Sequence, residues 1–143
     1  MPKMNKISYR EDKNIERDAL LNLYNDAAWT AYTDKPEELE NAISNSLYVC
    51  IAMDKEKLVG LIRIIGDRLT IIYIQDILVL NSYKRNGIGT ALMLKALDKF
   101  KTVRQKVLLT DDNIGTRGFY ESLGFISSEK ARLVSFVKFE SIK

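Results

Sequence analysis

The longest apolar run of the chain, residues 70–80, is followed by a short polar loop and then by apolar residues at helical spacing. β-branched and aromatic residues dominate the run, which is typical of a buried strand. Beyond the loop, apolar residues recur mostly three or four positions apart and predict an amphipathic helix from Ile88 to Phe100. The centre of the chain is therefore predicted to be a strand, a loop and a helix.

The chain before this centre changes period several times. The pattern predicts a strand at 7–10, a helix at 15–28, a loop at 29–32, a helix starting near Pro36, and a hairpin of strands at 47–53 and 58–65.

After the central helix, the pattern predicts a strand at 106–110, a helix at 116–123 that ends at Gly124, and a closing pair of strands at 125–127 and 133–140. This order is typical of an α/β (α+β) fold with a mixed, mostly antiparallel sheet of about six to seven strands and helices on both faces. The length suits one domain over residues 1–143.

The loop before the central helix has the residues of an anion site. Gly87 and Gly89 let the backbone turn and approach a ligand, while Lys84 and Arg85 add positive charge. The first amides of the helix lack intrahelical partners, so they suit a phosphate group. The alternative is an ordinary turn with solvated basic side chains.

Composition narrows the classes of function. The net charge of +3 is too small to indicate a nucleic acid partner, and no apolar run has the length of a membrane span. Without histidine the chain has no His-dependent triad and lacks the commonest metal ligand, so no metal is expected. A single cysteine, Cys50, and a short polar N-terminus without a signal peptide favour a cytoplasmic protein.

Two motifs carry a family resemblance. Lys84-Arg85-Asn86-Gly87-Ile88-Gly89 follows the apolar strand, and Asn113 precedes Tyr120 by six intervening residues, with Leu-Gly-Phe at 123–125. Together they resemble the signatures of the GNAT superfamily of N-acetyltransferases, over residues 7–139. The family usually has Gln or Arg where Lys84 stands, and lysine lacks the planar fork of arginine.

The resemblance implies acetyl-CoA as co-substrate. The pyrophosphate would bind the amides of the loop, and the pantetheine arm would pair with the edge of the preceding strand. The implied cofactor residues are Ile77, Leu78, Val79, Leu80, Lys84, Arg85, Asn86, Gly87, Ile88, Gly89, Thr90, Asn113 and Tyr120. The amide of Ile77 or Leu78 would stabilise the oxyanion.

The resemblance also assigns chemistry to Tyr120 and Asn113, and the residues themselves leave roles open at Asp76 and Cys50. Tyr120 matches the general acid that protonates the departing sulfur, the alternative being core packing. Asp76, in an apolar strand, is either a base that faces the acceptor or a buried ionic partner. Asn113 either orients the cofactor or caps a helix. Cys50 suits a buried thiol better than a covalent intermediate.

The acceptor is predicted to bind the first third of the chain together with the central strand. Trp29, Tyr32, Tyr73 and Asp34 would form an aromatic pocket with an acidic end, suited to a small cationic amine, or they would be core and surface residues. The predicted activity is direct transfer of an acetyl group to a primary amine of a small molecule or peptide. A non-catalytic acetyl-CoA sensor, an interaction module and a homodimer are left open.

Overall fold

The computed structural model of the protein describes residues 6–140, so most of the polar N-terminus discussed above, residues 1–5, lies outside the described residues, as do residues 141–143. The chain divides into two compact units, before and after the junction of Leu109 and Thr110. The strands are β1 (Ile7–Glu11), β2 (Tyr48–Asp54), β3 (Lys57–Gly66), β4 (Ile71–Val79) and β5 (Gln105–Leu108). The helices are α1 (Arg17–Asp26), α2 (Thr30–Thr33), α3 (Pro36–Ser44), α4 (Ile88–Lys99) and α5 (Ile114–Ser122).

The first unit is built on one sheet with strand order β1-β2-β3-β4-β5. The first four strands pair antiparallel, and β5 pairs parallel to β4. A parallel pair needs a crossover connection, and α4 supplies it between β4 and β5. The predicted mixed, mostly antiparallel sheet is confirmed, with five strands in place of six or seven.

Helices cover both faces of this sheet. A Cβ placed on Gly60 of β3 would lie 3.1 Å from the Ile88 side chain and 3.3 Å from that of Leu92, so α4 packs closely on that face. Arg63 points to the opposite face, where α1 and α2 contribute Tyr24 and Tyr32. Since strand residues alternate between faces, the three-residue step from Gly60 to Arg63 agrees with this arrangement.

Most boundaries of helices and strands lie within a few residues of those predicted from the sequence. Pro36 occupies the first turn of α3, whose residues Leu39 and Ile43 are buried as predicted. Gly124 follows α5 with a φ of 93°, the left-handed conformation expected after a helix. Residues 29–32 differ from the prediction, because the short helix α2 begins at Thr30 within the expected loop.

The predicted closing strands at 125–127 and 133–140 are wrong. Within residues 110–140 the second unit contains α5 and no strand, and Phe136 is 92% exposed. Alternation indicates which side chains would share a face, whereas a strand also needs a neighbour for its backbone hydrogen bonds. The missing strands account for the difference in strand number.

Candidate active site

The central feature of the site is a bulge in β4. Arg63 of β3 pairs with Asp76, but the next residue of β3, Ile64, pairs with Ile74, so Gln75 is an extra residue in β4. A bulge breaks the ladder and lets two neighbouring side chains approach the same side of the sheet. Here both neighbours reach one hydroxyl: Gln75 Nε2 lies 3.1 Å and Asp76 Oδ1 2.9 Å from Tyr32 Oη.

Beyond the bulge, β4 has a free edge within the first unit. Its pairing with β5 covers only Ile71–Ile74, whereas its pairing with β3 continues to Val79. The amide of Leu80 donates to the Val59 carbonyl at 2.9 Å, on the β3 side. Since backbone groups alternate between the two sides of a strand, the backbone groups of Ile77 and Val79 face the open side.

The glycine loop leads from this edge into α4. After a 3₁₀ turn at Asn81–Tyr83, Arg85 and Gly87 adopt left-handed φ values of 66° and 78°. The amide of Ala91 donates to the Gly87 carbonyl at 2.9 Å. It makes the first bond of the helix, so the amides of Ile88, Gly89 and Thr90 have no intrahelical acceptor. No side chain caps this N-terminus among the described residues.

Contacts from three directions hold the loop in place. The Asn81 amide donates to Asp26 Oδ2 at 2.6 Å, and its side chain donates to the Asp26 carbonyl at 2.9 Å. The Tyr83 hydroxyl donates to Asp54 Oδ2 at 2.5 Å. Asn86 Nδ2 donates to the carbonyls of Tyr83 and Lys84 at 3.0 and 3.2 Å. The loop is therefore preorganised in its open form.

Lys84 and Arg85 are exposed beside this N-terminus. They lie three and two residues before Gly87, so they add positive charge at the end of α4 where the helix dipole is already positive. A Cβ on Gly87 would meet nothing within 4 Å, so this glycine is needed for its backbone conformation, not for space.

Asp76 is the centre of a buried polar cluster. Its side chain is 2% exposed, and Arg63 Nε donates to Oδ2 at 2.8 Å. The hydroxyls of Tyr24 and Tyr32 donate to Oδ2 and Oδ1, each at 2.9 Å. Arg63 also donates to Ser46 Oγ at 3.4 Å and to Tyr32 Oη at 3.3 Å. Of the two alternatives for Asp76, these contacts favour the buried ionic partner.

The cluster shifts the pKa values of its tyrosines. Burial, and then the charge of Asp76, raises the pKa of the Tyr24 hydroxyl. The same two causes raise the pKa of Tyr32. Burial raises the pKa of the Tyr73 hydroxyl, a hydrogen bond with the Leu109 backbone acts in the opposite direction, and the charge of Asp76 adds to the increase. All three hydroxyls therefore stay protonated at neutral pH.

Two of the residues predicted to form the acceptor pocket, Trp29 and Tyr32, lie close together. The rings of Trp29 and Tyr32 lie 6.1 Å apart, and each makes an edge contact with Tyr24. Asp34 is exposed at the C-terminal end of α2, and within residues 6–109 no hydrogen bond or ion pair links its side chain to the aromatic residues. Two residues of the predicted pocket, Trp29 and Tyr32, thus lie together without a bond to Asp34 within these residues.

The second unit carries the remaining predicted residues. Tyr120 is half-buried, with its ring 5.0 Å from Phe119 and 5.9 Å from Phe125. Burial raises the pKa of its hydroxyl, and a hydrogen bond with the Thr110 side chain acts in the opposite direction. Asn113 caps α5, because its Oδ1 accepts the Thr116 amide at 2.8 Å. Its predicted contact with the cofactor stays a prediction.

Cys50 is 2% exposed, and burial raises the pKa of its thiol. These properties are those of an unreactive core cysteine.

Within residues 6–140 there is no group of three or more His, Cys, Asp or Glu residues placed to bind a metal, and no helix is long and apolar enough to cross a membrane. A shallow cleft of about 500 Å³ between α1 and the β2–β3 turn includes none of the predicted site residues.

Comparison with known proteins identifies the family. The model of the acetyltransferase (GNAT) domain matches residues 6–141. The chain belongs to the GNAT acetyltransferase family. The match includes both units, the glycine loop and the Asn113–Tyr120 motif.

Solved structures of this family have the same fold. A GNAT family protein from Streptococcus pneumoniae is 34% identical, with a TM-score of 0.84 over 94% of this chain and 98% of that one. A GNAT protein from Xanthomonas campestris is 25% identical, with a TM-score of 0.71 over 94% and 96%. An aminoglycoside N-acetyltransferase in complex with CoA, 19% identical, shares the fold with a TM-score of 0.68 over 99% of each chain. No curated protein matches the chain.

Sequence reasoning did not identify Arg63 and Tyr24. A signal for Arg63 was present, because it is a lone charge within the apolar run of β3, as Asp76 is within β4. Two lone opposite charges in adjacent predicted strands favour a buried pair. Tyr24 gave no such signal, since its apolar ring suits the core face of α1 without any partner for its hydroxyl.

We expect the Arg63→Met substitution to lower the free energy of unfolding by about 3–5 kcal/mol, because it leaves the Asp76 carboxylate buried without its ionic partner. The measurement is urea unfolding at pH 7. The matched control is Arg10→Met, which breaks the exposed pair of Arg10 and Asp12 and should cost no more than about 1 kcal/mol. Equal effects of the two substitutions would contradict a buried ion pair.

The raised pKa of Tyr24 predicts a specific loss of stability in alkali. Above pH 10 the unfolded chain releases the Tyr24 proton and the folded chain keeps it, so the stabilisation is complete below pH 10 and declines above it. The free energy of unfolding should therefore fall more steeply between about pH 10 and 11 than in Tyr24→Phe, by up to about 1.4 kcal/mol per pH unit. Parallel curves for the two proteins would show that Tyr24 ionises normally.

Proposed function

We propose that the protein is an N-acetyltransferase that moves an acetyl group from acetyl-CoA to a primary amine by direct transfer. The observation that carries the proposal is the free edge of β4. This edge leads into a glycine loop, and the first three amides of the helix that follows have no intrahelical hydrogen-bond acceptor. This arrangement suits a ligand with an amide-bearing arm and a diphosphate, and coenzyme A has both.

The residues around the edge have complementary roles in the proposed complex. The backbone groups of Ile77 and Val79 face the open side, so they would pair with the pantetheine arm. The amides of Ile88, Gly89 and Thr90 would bind the pyrophosphate, with charge from Lys84 and Arg85. The amide of Ile77 would donate to the acyl oxygen as negative charge develops there.

The proposed chemistry is one displacement. The neutral amine attacks the acyl carbon, the C–N bond forms, and the C–S bond breaks. Tyr120 would donate its proton to the departing sulfur, and its raised pKa keeps that proton available at neutral pH. The phenolate is then reprotonated by the proton that the nitrogen loses, so the net products are an acetamide and a free thiol.

Water is the immediate base in this scheme. The carboxylate of Asp76 accepts three hydrogen bonds from buried or half-buried donors, so it has no direct access to the amine. Asp76 would instead act indirectly: its negative charge accepts the hydrogen bond of the Tyr32 hydroxyl, and that hydroxyl would face the amine. The acceptor class, a small cationic amine or a peptide amine, is supported by the aromatic rings of Trp29 and Tyr32 beside this charge.

Binding of CoA by the loop amides can be tested with one pair of variants. At millimolar CoA and micromolar affinity, the wild-type protein should gain about 4 kcal/mol of stability. Gly89→Pro removes one amide donor from the first turn, where proline is tolerated, so it should weaken CoA binding about tenfold. Gly89→Ala keeps the amide and should bind nearly as the wild type, as measured by calorimetry.

An unchanged affinity in Gly89→Pro would contradict the role of the amides. Absence of any stabilisation by CoA in the wild-type protein would favour an interaction module without a cofactor.

The acid role of Tyr120 is tested by release of the CoA thiol in the presence of a panel of primary amines. Tyr120→Phe should lower kcat about 100-fold or more, because a positioned general acid typically contributes that much. Its affinity for CoA should change little. Tyr9→Phe is the control, since Tyr9 lies in β1 at the opposite edge of the sheet from β5.

Equal rates in Tyr120→Phe and the wild type would exclude the acid role. Tight CoA binding without thiol release for any amine would favour a non-catalytic sensor.

A further inference from the structure

Tyr32 Oη makes three hydrogen bonds, and together they use its full capacity. It lies 2.9 Å from Asp76 Oδ1, 3.3 Å from an Nη atom of Arg63 and 3.1 Å from Gln75 Nε2. A phenol hydroxyl has one hydrogen to donate and two lone pairs to accept with.

The identity of the partners fixes the direction of each bond. The guanidinium of Arg63 has only donors, and the ionised carboxylate of Asp76 has only acceptors. The single hydrogen of Tyr32 therefore points to Asp76, and the side-chain amide of Gln75 presents its nitrogen. The two lone pairs accept from Arg63 and Gln75.

The two donors differ in their exposure. The side chain of Arg63 is 8% exposed and is also held by Asp76 and Ser46. Gln75 is an exposed residue. A ligand can therefore replace Gln75 without breaking the buried cluster, whereas replacement of Arg63 would leave a buried charge without its partner.

We propose that Tyr32 Oη is a fixed hydrogen-bond acceptor that recognises an N–H group of the acyl acceptor, with Gln75 as an exchangeable placeholder and Arg63 and Asp76 as positioning residues. This inference rests on the proposed function, whose acceptor is a primary amine. It adds a criterion of specificity: the ligand must donate an N–H at this point, and cationic charge alone is insufficient.

The position of the cluster agrees with that role. Gln75 and Asp76 directly precede Ile77, whose backbone faces the open edge of β4. Successive residues of a strand are about 3.3 Å apart, and Gln75 and Asp76 are only one or two residues from Ile77. An amine bound at Tyr32 would therefore be close to the proposed acyl site. Trp29, 36% exposed with its ring 6.1 Å from that of Tyr32, would contact the apolar part of the same ligand.

The test is an NMR titration of the protein without CoA, with the side-chain amide of Gln75 as the reporter. The probes are benzylammonium, which has N–H donors, and benzyltrimethylammonium, which has the same charge and ring but no N–H. Benzylammonium at up to about 100 mM should shift the Gln75 amide signals, and the quaternary probe should bind about tenfold more weakly.

Three variants identify the source of this preference. Tyr32→Phe removes the oxygen and keeps the ring, so it should bind both probes equally. Gln75→Met removes the competing donor, so tyrosine ring signals should show tighter binding of benzylammonium and unchanged binding of the quaternary probe. Arg63→Lys keeps a cation beside Asp76 but removes the second donor to Tyr32 and so frees a lone pair, so benzylammonium should bind at least as tightly as to the wild type while it displaces Gln75 less.

Equal affinities of the wild-type protein for the two probes, or an unchanged preference in Tyr32→Phe, would overturn the inference. So would a Gln75 amide that does not respond to benzylammonium. Since the titration contains no CoA, a failure here with normal CoA binding would leave the proposed donor site intact. A preserved amine preference without CoA binding would instead remove the acetyltransferase proposal alone.

Discussion

The extra residue at Gln75 is the constraint on which the site depends. In a regular strand, the side chains of Gln75 and Asp76 would point to opposite faces, and the backbone would keep its register with both neighbours. The bulge instead directs both side chains to the Tyr32 hydroxyl and coincides with the end of β5 pairing after Ile74. One local irregularity therefore accompanies both an open backbone edge and a polar side-chain cluster.

The buried pair of Arg63 and Asp76 stabilises this irregular segment. A bulge weakens the local ladder, and the ion pair adds a direct link between β3 and β4 at that point. The hydroxyls of Tyr24 and Tyr32 connect the ion pair to α1 and α2. Ser46, which lies just after α3, connects it to that part of the chain. A fully satisfied buried network of this kind favours one arrangement of the helices over the strand.

Sequence reasoning was most reliable where local chemistry determines local structure. The helix start at Ile88 follows from Gly87 and the change to helical spacing, and the cap of α5 follows from Asn113. The central strand was recognised, but its bulge was not, because an extra residue in an apolar run leaves the pattern of buried positions unchanged. The register with β3 reveals it, and register is a property of two strands.

The same limit explains the open alternatives at Asp76 and the error in the last residues. From the sequence alone, Asp76 could face a ligand or a buried partner, and only the position of Arg63 in the adjacent strand distinguishes them. Residues 133–140 have the alternation of a strand, but among residues 110–140 no neighbouring strand pairs with them. Both features depend on partners distant in sequence, which periodicity does not specify.

The geometry of β4 separates the two halves of the proposed reaction. In this segment the backbone groups of Ile77 and Val79 face the proposed donor edge, while the side chains of Gln75 and Asp76 face Tyr32. Backbone contacts are insensitive to most substitutions, whereas side-chain contacts change with each one. A chain with this arrangement can therefore change its acceptor by substitution at Gln75 or Tyr32 and retain the same acyl donor. The donor site would then be the constant feature of the fold, and the acceptor site the variable one.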